Sequence, residues 1–237
     1  MTNRLNIFVM QLSNFTLHNS DMTRELLIIG TSGLAKEAAQ LARRIDINYD
    51  RWTTISYITN DKSRLGEQLP FGKISKLDIE LKNIDSPVDV VIGVGYPKDR
   101  ERIVKHLTDN PNLCFPNLIH PDVEIDFELV IIGKGNMITK GVVLTCNITI
   151  GDFNLVNWNS TIGHDTEIGN FNVINPGSSL SGGVKLGDAC LIGTGARILE
   201  NLSINSNVVI GAGAVVTKAI LNSGVYIGIP ARIKSDS

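Results

Sequence analysis

An aliphatic residue stands at every sixth position from Ile132 to Val216, over fifteen consecutive positions. One step before and one step after, the residues are Asp126 and Asn222, so the repeat has clear ends. A period of six matches neither an α-helix, with about 3.6 residues per turn, nor a simple alternating strand. It is typical of a solenoid of short parallel strands in which every sixth side chain points into a narrow core.

The repeat predicts a three-sided prism. Three hexads complete one coil, so the fifteen positions make five coils. Coils stack at the spacing of hydrogen-bonded strands, about 4.8 Å each. So thin a prism has flat faces and open ends, and we expect several copies to associate through a face.

Composition excludes several classes of protein. The 237 residues carry a formal charge of −2 with a pI near 6.1, which gives no electrostatic basis for binding nucleic acid or anionic lipid. No apolar run is long enough to span a bilayer. Three widely spaced cysteines without a CxxC pair indicate neither a disulfide framework nor a zinc knuckle, so a cytoplasmic location is expected.

The first 22 residues are interpreted as an N-terminal extension. Their apolar segment, 5–12, is not followed by a cleavage site of small residues, which argues against a signal peptide. Met22 comes just before the first predicted strand, so an early start codon is one explanation of the extension. A functional arm is the alternative.

Residues 23–121 alternate predicted strands and helices. Strands are expected at 24–30, 53–60, 89–95 and 113–119, and helices at 33–45 and 99–107. This order predicts a Rossmann-like α/β domain with a parallel sheet. The chain is therefore divided into the extension, 1–22, the Rossmann-like domain, 23–121, a β-helix domain, 122–221, and a C-terminal tail, 222–237.

The turn Gly30-Thr31-Ser32-Gly33 joins the first strand to the first helix. Glycines permit a tight turn and close ligand approach, and a helix N-terminus favours an anion. The turn lacks the GxGxxG spacing, and no acidic residue is placed for a ribose, which argues against a nicotinamide cofactor. The phosphate of a nucleotide or a sugar nucleotide is the favoured ligand, and a turn without a ligand is the alternative.

His164 is the one histidine of four that lies within the repeat, and Asp165 follows it. With three hexads per coil, its column continues through Gly182, and Gly183 lies next to Asp165 in the same way. The two glycines leave a backbone N–H bare and make room for a thin ligand beside the imidazole. A functionless exposed histidine is the alternative. A single histidine cannot build the multi-histidine zinc site of a β-helix enzyme, so no metal is expected.

Together, both halves resemble the bacterial sugar O-/N-acyltransferases, which include sialic acid O-acetyltransferases and N-acetyltransferases of nucleotide-linked amino sugars. The resemblance covers about residues 24–235. It rests on the segments Gly30-Thr31-Ser32-Gly33, Val91-Ile92-Gly93, Asn117-Leu118-Ile119-His120, Ile162-Gly163-His164-Asp165 and Gly228-Ile229-Pro230-Ala231-Arg232. It implies a left-handed parallel β-helix and a homotrimer with active sites between subunits.

The resemblance also implies roles for individual residues. His164 is the general base, Asp165 supports its basicity, and the Gly182 amide faces the thioester oxygen of acetyl-CoA, the co-substrate. The coenzyme lies along the coils, with contacts expected at Val173, Gly182, Thr194, Gly211 and Ala212, and with Lys218 and Arg232 near its phosphates. The nucleotide sugar is expected at Thr31, Ser32, Gly33, Asn60, Asp61, Gly93 and Arg100.

Two positions depart from the family pattern. Some members have a histidine where this chain has Leu34, in the glycine turn, and another near the acyl donor, where it has Val173. The first departure weakens any transfer of sugar contacts. The second removes one polar contact to the coenzyme and spares the base.

The resulting hypothesis is acetyl-CoA-dependent N-acetylation of a nucleotide-linked dideoxy-amino sugar, in the biosynthesis of a bacterial surface glycan such as O-antigen. O-acetylation of a sugar such as sialic acid is the alternative within the class. A non-catalytic hexapeptide-repeat scaffold is the alternative from another class. A scaffold has no need of His164-Asp165 beside Gly182-Gly183, which argues against it.

Overall fold

A computed structural model of the chain describes residues 24–234. The predicted N-terminal extension, including segment 5–12, lies outside the described residues, as do residues 235–237 at the end of the predicted tail. No helix between residues 24 and 234 is long and apolar enough to cross a membrane.

The first half is an α/β domain built on a six-stranded sheet. Its strands are β1 Arg24–Ile29, β2 Trp52–Thr59, β3 Gln68–Leu69, β4 Gly72–Leu77, β5 Val88–Ile92 and β6 Leu113–Cys114. Their order in the sheet is β3-β4-β2-β1-β5-β6, and β1 pairs in parallel with β2 on one side and with β5 on the other. The predicted Rossmann-like fold is confirmed.

Two helices cover the two faces of this sheet, α1 Gly33–Tyr49 and α2 Pro97–Leu107, and two 3-10 helices cover residues Lys62–Arg64 and Asp78–Asn83. The buried residues of α1 recur at helical spacing and are mostly alanines, which lets the helix lie close to its neighbours. They are Ala35, Ala38, Ala39, Leu41, Ala42 and Ile45. α2 begins with Pro97. A proline is favourable there, because backbone N–H groups in the first turn of a helix have no intrahelical acceptor.

Besides shifts of one to four residues at the ends of helices and strands, two parts of the first half differ from the sequence prediction. The pattern does not indicate the β3-β4 hairpin, because β3 has two residues and Phe71, rather than glycine, takes the left-handed conformation in its turn. Segment 113–119 is two strands, since β6 joins β5 whereas β7, Leu118–Ile119, pairs with Met137–Ile138 of the β-helix. We therefore propose that the two domains join at residues 115–117 and not at residue 121.

The second half is a left-handed parallel β-helix of five coils, as predicted. Strands of successive coils pair in parallel, as Leu144 pairs with Ile162, and all fifteen aliphatic positions are buried. The fifteen strands are β8 Val130–Ile132, β9 Met137–Ile138, β10 Val143–Leu144, β11 Ile148–Ile150, β12 Leu155–Val156, β13 Thr161–Ile162, β14 Glu167–Ile168, β15 Val173–Ile174, β16 Ser179–Leu180, β17 Lys185–Leu186, β18 Leu191–Ile192, β19 Arg197–Ile198, β20 Ser203–Ile204, β21 Val208–Ile210 and β22 Val215–Val216.

Three sheets form the faces of the prism. The long sheet has the order β7-β9-β12-β15-β18-β21-β23-β24, where β23 Gly224–Ile227 and β24 Arg232–Ile233 come from the predicted tail. The second sheet is β10-β13-β16-β19-β22, and the third sheet is β8-β11-β14-β17-β20. Along the chain, each coil passes from the long sheet to the second sheet and then to the third.

The turns between the sheets stack into three corners. Turns from the second to the third sheet form the His164 corner, turns from the long to the second sheet form the Thr194 corner, and turns from the third to the long sheet form the Asn154 corner. At the Asn154 corner, the buried side-chain oxygens of Asn136, Asn154 and Asn172 each accept the backbone N–H of the next coil at 2.8 Å. This ladder satisfies buried backbone donors and ties the coils together.

The long sheet carries the α/β domain. The outward side chains of Met137, Leu155 and Val173 are buried in one cluster with the alanines of α1. Phe153 stacks on Phe171, with ring centroids 5.6 Å apart, and belongs to the cluster around α2. The two domains therefore share apolar packing on both sides of the six-stranded sheet.

Candidate active site

His164 lies in the turn after β13 and contacts its sequence neighbour. Its Nδ1 is 2.7 Å from Oδ2 of Asp165, and both side chains are largely exposed. Asp165 takes the left-handed conformation, with φ 58°, and its N–H donates to the carbonyl of Cys146 in the preceding coil at 3.1 Å. The turn thus fixes the backbone on which the two side chains meet.

The charge of Asp165 decides how the imidazole can act. Hydrogen bonds from His164 and then from Asn147 hold the pKa of Asp165 below its ordinary value, so this carboxyl is an anion at neutral pH. An anionic Oδ2 accepts the Nδ1–H of a neutral imidazole, which leaves Nε2 as the nitrogen with a lone pair. This tautomer is assigned from the hydrogen bond, and it is the one that a general base needs.

Gly182 lies one coil beyond His164, directly under its ring. A Cβ at position 182 would lie 2.6 Å from Nε2 and 2.6 Å from Cε1 of His164, so any side chain there would displace the imidazole ring. The N–H groups on either side donate to backbone carbonyls, Ser181 to Ile198 at 3.0 Å and Gly183 to His164 at 2.7 Å. Between residues 24 and 234, no acceptor takes the N–H of Gly182, so this donor remains open to a ligand.

The residues expected to contact the coenzyme are only partly brought together. Thr194, Gly211 and Ala212 stack at the Thr194 corner, where the carbonyl of Thr194 accepts the N–H of Gly213 at 2.8 Å. Within one protomer, this corner is separated from His164 by the full width of the second sheet. Lys218 is exposed in the column of His164, at the other corner.

The structure corrects the prediction for Val173. Its side chain is 1% exposed and packs against α1 in the interface between the two domains, so it offers no surface to a coenzyme. Arg232 is exposed on β24, and its Nη1 donates to the carbonyl of Ala231 at 2.8 Å. Its guanidinium therefore stays at the surface near the end of the coil stack.

The prediction that Arg100 contacts a substrate is also corrected. Arg100 is fully buried, and desolvation lowers its pKa to about 10. Its Nη1 donates to the carbonyls of Ile92 at 3.0 Å and Val94 at 2.8 Å, and its Nε donates to the carbonyl of Phe153 at 3.1 Å. Arg100 thus joins the end of β5 to the β-helix and has no face toward solvent.

The remaining residues expected to bind the sugar nucleotide meet at the carboxyl edge of the six-stranded sheet. Thr31, Ser32 and Gly33 follow β1, and Asn60 and Asp61 follow β2. Hydrogen bonds from the hydroxyl and backbone N–H of Ser63 lower the pKa of Asp61, whose carboxylate caps the first 3-10 helix.

Close packing explains why residue 93 is a glycine. A Cβ there would lie 2.8 Å from Ala35 in α1, and its N–H already donates to the carbonyl of Ile29 at 2.9 Å. Gly30, with φ 109°, faces the carbonyl of Gly93 in the same way. The turn before α1 and the end of β5 therefore touch along their backbones, and only glycines fit between them.

Sequence reasoning missed Arg64. Its Nη1 donates to Oγ1 of Thr31 at 2.6 Å, and its Nε and Nη2 pair with Glu67 at 2.7 and 3.0 Å. This places a cation beside the glycine turn. No motif marks it, because Arg64 and Thr31 are 33 residues apart and the first 3-10 helix alone brings them together.

A cleft of about 1240 Å³ lies away from His164. It lies between the N-terminus of α2 and the later coils at the Asn154 corner, next to Tyr96, Asn205 and Val225. Among the described residues, its lining contains no histidine or cysteine, and Lys185 and Glu167 pair with each other at 3.0 Å along its wall. We place the candidate active site at His164, because chemistry requires a base with a free lone pair and an open donor.

Two family models match the chain. Residues 25–107 match the PglD N-terminal domain, and residues 183–218 match the bacterial transferase hexapeptide (six repeats). No curated protein matches the chain significantly.

Solved structures match along nearly their whole length. The acetyltransferase domain of PglB from Neisseria gonorrhoeae FA1090, in complex with acetyl coenzyme A, is 28% identical with a TM-score of 0.81, over 90% of this chain and 100% of that one. PerB from Caulobacter crescentus, in complex with CoA and GDP-perosamine, is 25% identical with a TM-score of 0.79, over 90% and 99%. WeeI from Acinetobacter baumannii AYE is 27% identical with a TM-score of 0.77, over 90% and 100%.

Proposed function

We propose that this chain, which has the two-part architecture of the bacterial sugar acyltransferases, transfers an acetyl group from acetyl-CoA to the amino group of a nucleotide-linked sugar. The observation that carries the proposal is the arrangement of His164, Asp165 and Gly182 at the His164 corner. His164 is oriented by Asp165 at 2.7 Å, and its Nε2 lies over Gly182, whose N–H is open. Similar structures that contain acetyl-CoA, or CoA with GDP-perosamine, support the choice of both substrates.

The reaction follows from these atoms. The sugar amine attacks the thioester carbonyl, and His164 Nε2 takes the proton that the amine loses as the C–N bond forms. Asp165 stabilises the imidazolium, and the Gly182 N–H donates to the developing oxyanion. When the C–S bond breaks, the thiolate of CoA leaves and receives the proton from His164. A general base contributes about 10²–10⁴ in rate, and one oxyanion donor about 3–4 kcal/mol.

We further propose that the site is shared between copies in a homotrimer. His164 and the predicted coenzyme contacts Thr194, Gly211 and Ala212 lie on different corners, so one protomer cannot bring them to the same thioester. Both groups can reach the same thioester if the His164 corner of one copy lies beside the Thr194 corner of a neighbouring copy. In this arrangement, Lys218 and Arg232 are the cations assigned to the phosphates of the coenzyme.

The nucleotide is assigned to the carboxyl edge of the six-stranded sheet. Thr31, Ser32 and Gly33 offer hydroxyl groups and a helix N-terminus, and Asn60 and Asp61 flank them from β2. This edge is where ligands bind in open parallel sheets, at the point where the strand order reverses from β1 to β5. The cytoplasmic location and the role in surface glycan synthesis remain predictions.

The test is a screen of UDP-, GDP- and dTDP-linked amino sugars with acetyl-CoA, in which release of the free thiol is followed. We expect one of these sugars to be acetylated at nitrogen by the wild type and not by His164→Ala. Product analysis by mass spectrometry and NMR separates N- from O-acetylation. A chain that accepts only hydroxyl groups would be the O-acetyltransferase. A chain inactive with every sugar, although it binds partner proteins, would be the scaffold.

A further inference from the structure

The carboxylate of Asp165 is held by two side chains, one for each oxygen. Oδ2 contacts Nδ1 of His164 at 2.7 Å, and Oδ1 accepts a hydrogen bond from Nδ2 of Asn147 at 3.2 Å. Asn147 occupies the same place in the preceding coil as Asp165 does in its own. Both residues take the left-handed conformation, with φ 55° and 58°, which points their side chains the same way.

This contact differs from the stacking bonds of the other polar corner. At the Asn154 corner, the carboxylates of Asp152 and Asp188 accept backbone N–H groups of the preceding coil, Lys134 at 2.9 Å and Asn170 at 2.6 Å. Those bonds tie a side chain to the backbone of a neighbouring coil. Within residues 24–234, the Asp165 carboxylate accepts from side chains alone, so its bond to Asn147 adds little to the stack and acts on the orientation of the carboxylate.

Within the described part of the chain, these two side chains alone confine the carboxylate of Asp165. The side chain of Asp165 is 59% exposed, and the χ2 torsion of an aspartate is soft, with a broad distribution. If the carboxylate rotates, Oδ2 leaves Nδ1, and the imidazole loses both its tautomer and its direction over Gly182. A second donor on Oδ1 opposes this rotation.

We propose that Asn147 is a positioning residue of the proposed reaction: its amide holds Oδ1 of Asp165 and thereby keeps Oδ2 on Nδ1 of His164. The proposal rests on the proposed function, in which His164 is the base. In this proposal, the effect of Asn147 passes through Asp165, which its side chain contacts. We therefore expect the loss of the Asn147 side chain to lower the turnover number and to leave the Michaelis constants nearly unchanged.

The experiment is a double-mutant cycle between Asn147→Gly and Asp165→Gly. Glycine accepts the positive φ of both positions without strain, so each change removes a side chain and keeps the turn. We expect Asn147→Gly to lower kcat about fivefold, with both KM values within twofold, and to have no further effect in the Asp165→Gly background. Asn207→Gly is the matched control, because Asn207 has φ 62° at the Asn154 corner and is exposed. It should change neither constant.

A second measurement does not depend on turnover. The hydrogen bond from Asn147 lowers the pKa of Asp165, so Asn147→Gly should raise it, as followed by NMR of the labelled carboxyl carbon of Asp165 in the intact protein. Equal losses of kcat in both backgrounds, or an unchanged titration of Asp165, would overturn the inference. If the wild type acetylates no sugar but the titration shifts, the proposed function fails and the positioning of Asp165 by Asn147 stands.

Discussion

The imidazole of His164 lies so close over Gly182 that a Cβ at position 182 would be 2.6 Å from Nε2. Gly182→Ala should therefore displace the ring and lower kcat about tenfold or more, since a base moved from its position loses part of a contribution of about 10²–10⁴ in rate. The fold should survive, because the contacted atoms are the far end of an exposed side chain. Steady-state kinetics and circular dichroism check both expectations.

Glu200→Ala is the control for that change. Glu200 is exposed one coil beyond Gly182, in the column of His164, and the variant retains a Cβ that the fold already accommodates. Its kcat should stay within twofold of the wild type. If Gly182→Ala transferred acetyl groups at the wild-type rate, the thioester would not pass this column.

His164→Ala should lower kcat by about two to four decades if His164 is the base. Asp165→Asn should cost less, because it only supports the imidazole. The pKa of Asp165 is lowered, so its carboxylate remains ionised above its ordinary value of 3.8 and takes no part in the pH dependence between pH 6 and 9. The assay should span this range, and wild-type turnover in His164→Ala at every pH would contradict the mechanism.

Mixing two inactive variants tests whether the site is shared. His164→Ala and Ala212→Trp each block one half of the proposed site, and exchange of subunits creates contacts in which an intact His164 corner meets an intact Thr194 corner. Activity should return in the mixture and be absent from either variant alone. Light scattering should give three times the single-chain mass of 25.8 kDa. A monomer mass, or a mixture without activity, would contradict the proposal that the site is shared between subunits.

Arg100→Met should destabilise the protein through the carbonyls of Ile92, Val94 and Phe153, which lose their donor in a buried place. The expected loss in the free energy of unfolding is about 2–4 kcal/mol, as measured by denaturant titration. Arg102→Met on the same helix is the control. Its ion pair with Asp99 is exposed, so it should change stability by less than about 1 kcal/mol.

His120 predicts how stability depends on pH. Its side chain is 4% exposed, its Nδ1 accepts the N–H of Asp122 at 3.1 Å, and desolvation lowers its pKa from 6.5. Below pH 6.5 the unfolded chain therefore binds a proton that the folded chain refuses, so stability falls as the pH drops. His120→Asn keeps an acceptor near Asp122 and cannot titrate there, so its Tm should fall less between pH 7 and 5. An equal fall in both proteins would show that His120 is not the cause.

The repeat was predictable because its information is local. Each aliphatic residue, such as Ile162, lies in the core of its own coil, and the fixed period places Gly182 beside His164 without knowledge of anything else. Arg100 and Arg64 are different. The burial of Arg100 depends on the carbonyl of Phe153, 53 residues away, and Arg64 reaches Thr31 through a 3-10 helix that no pattern marks.

The burial of Val173 also depends on a contact that is distant in the sequence. An outward position on a β-helix strand is exposed or buried according to what covers that face, and the cover here is α1, which lies far away in the sequence. The order of the two domains is visible in the sequence, but which face of the prism carries the first domain is not.

The regular coil has a consequence for how such a chain can change. Deleting residues 183–200, one whole coil, would join Gly182 to Asn201 at the His164 corner and shorten the stack by one step of about 4.8 Å, while every remaining strand of the coils keeps a parallel partner. The α/β domain is anchored on the earlier coils, by Met137, Leu155 and Val173, so His164 would keep its distance from the carboxyl edge of the six-stranded sheet. What shortens is the path along the Thr194 corner beyond it. Coil number and the surroundings of His164 can thus vary separately: in the proposed reaction, the first would set how long an acyl carrier fits along the Thr194 corner, and the second would set which substrate is acylated.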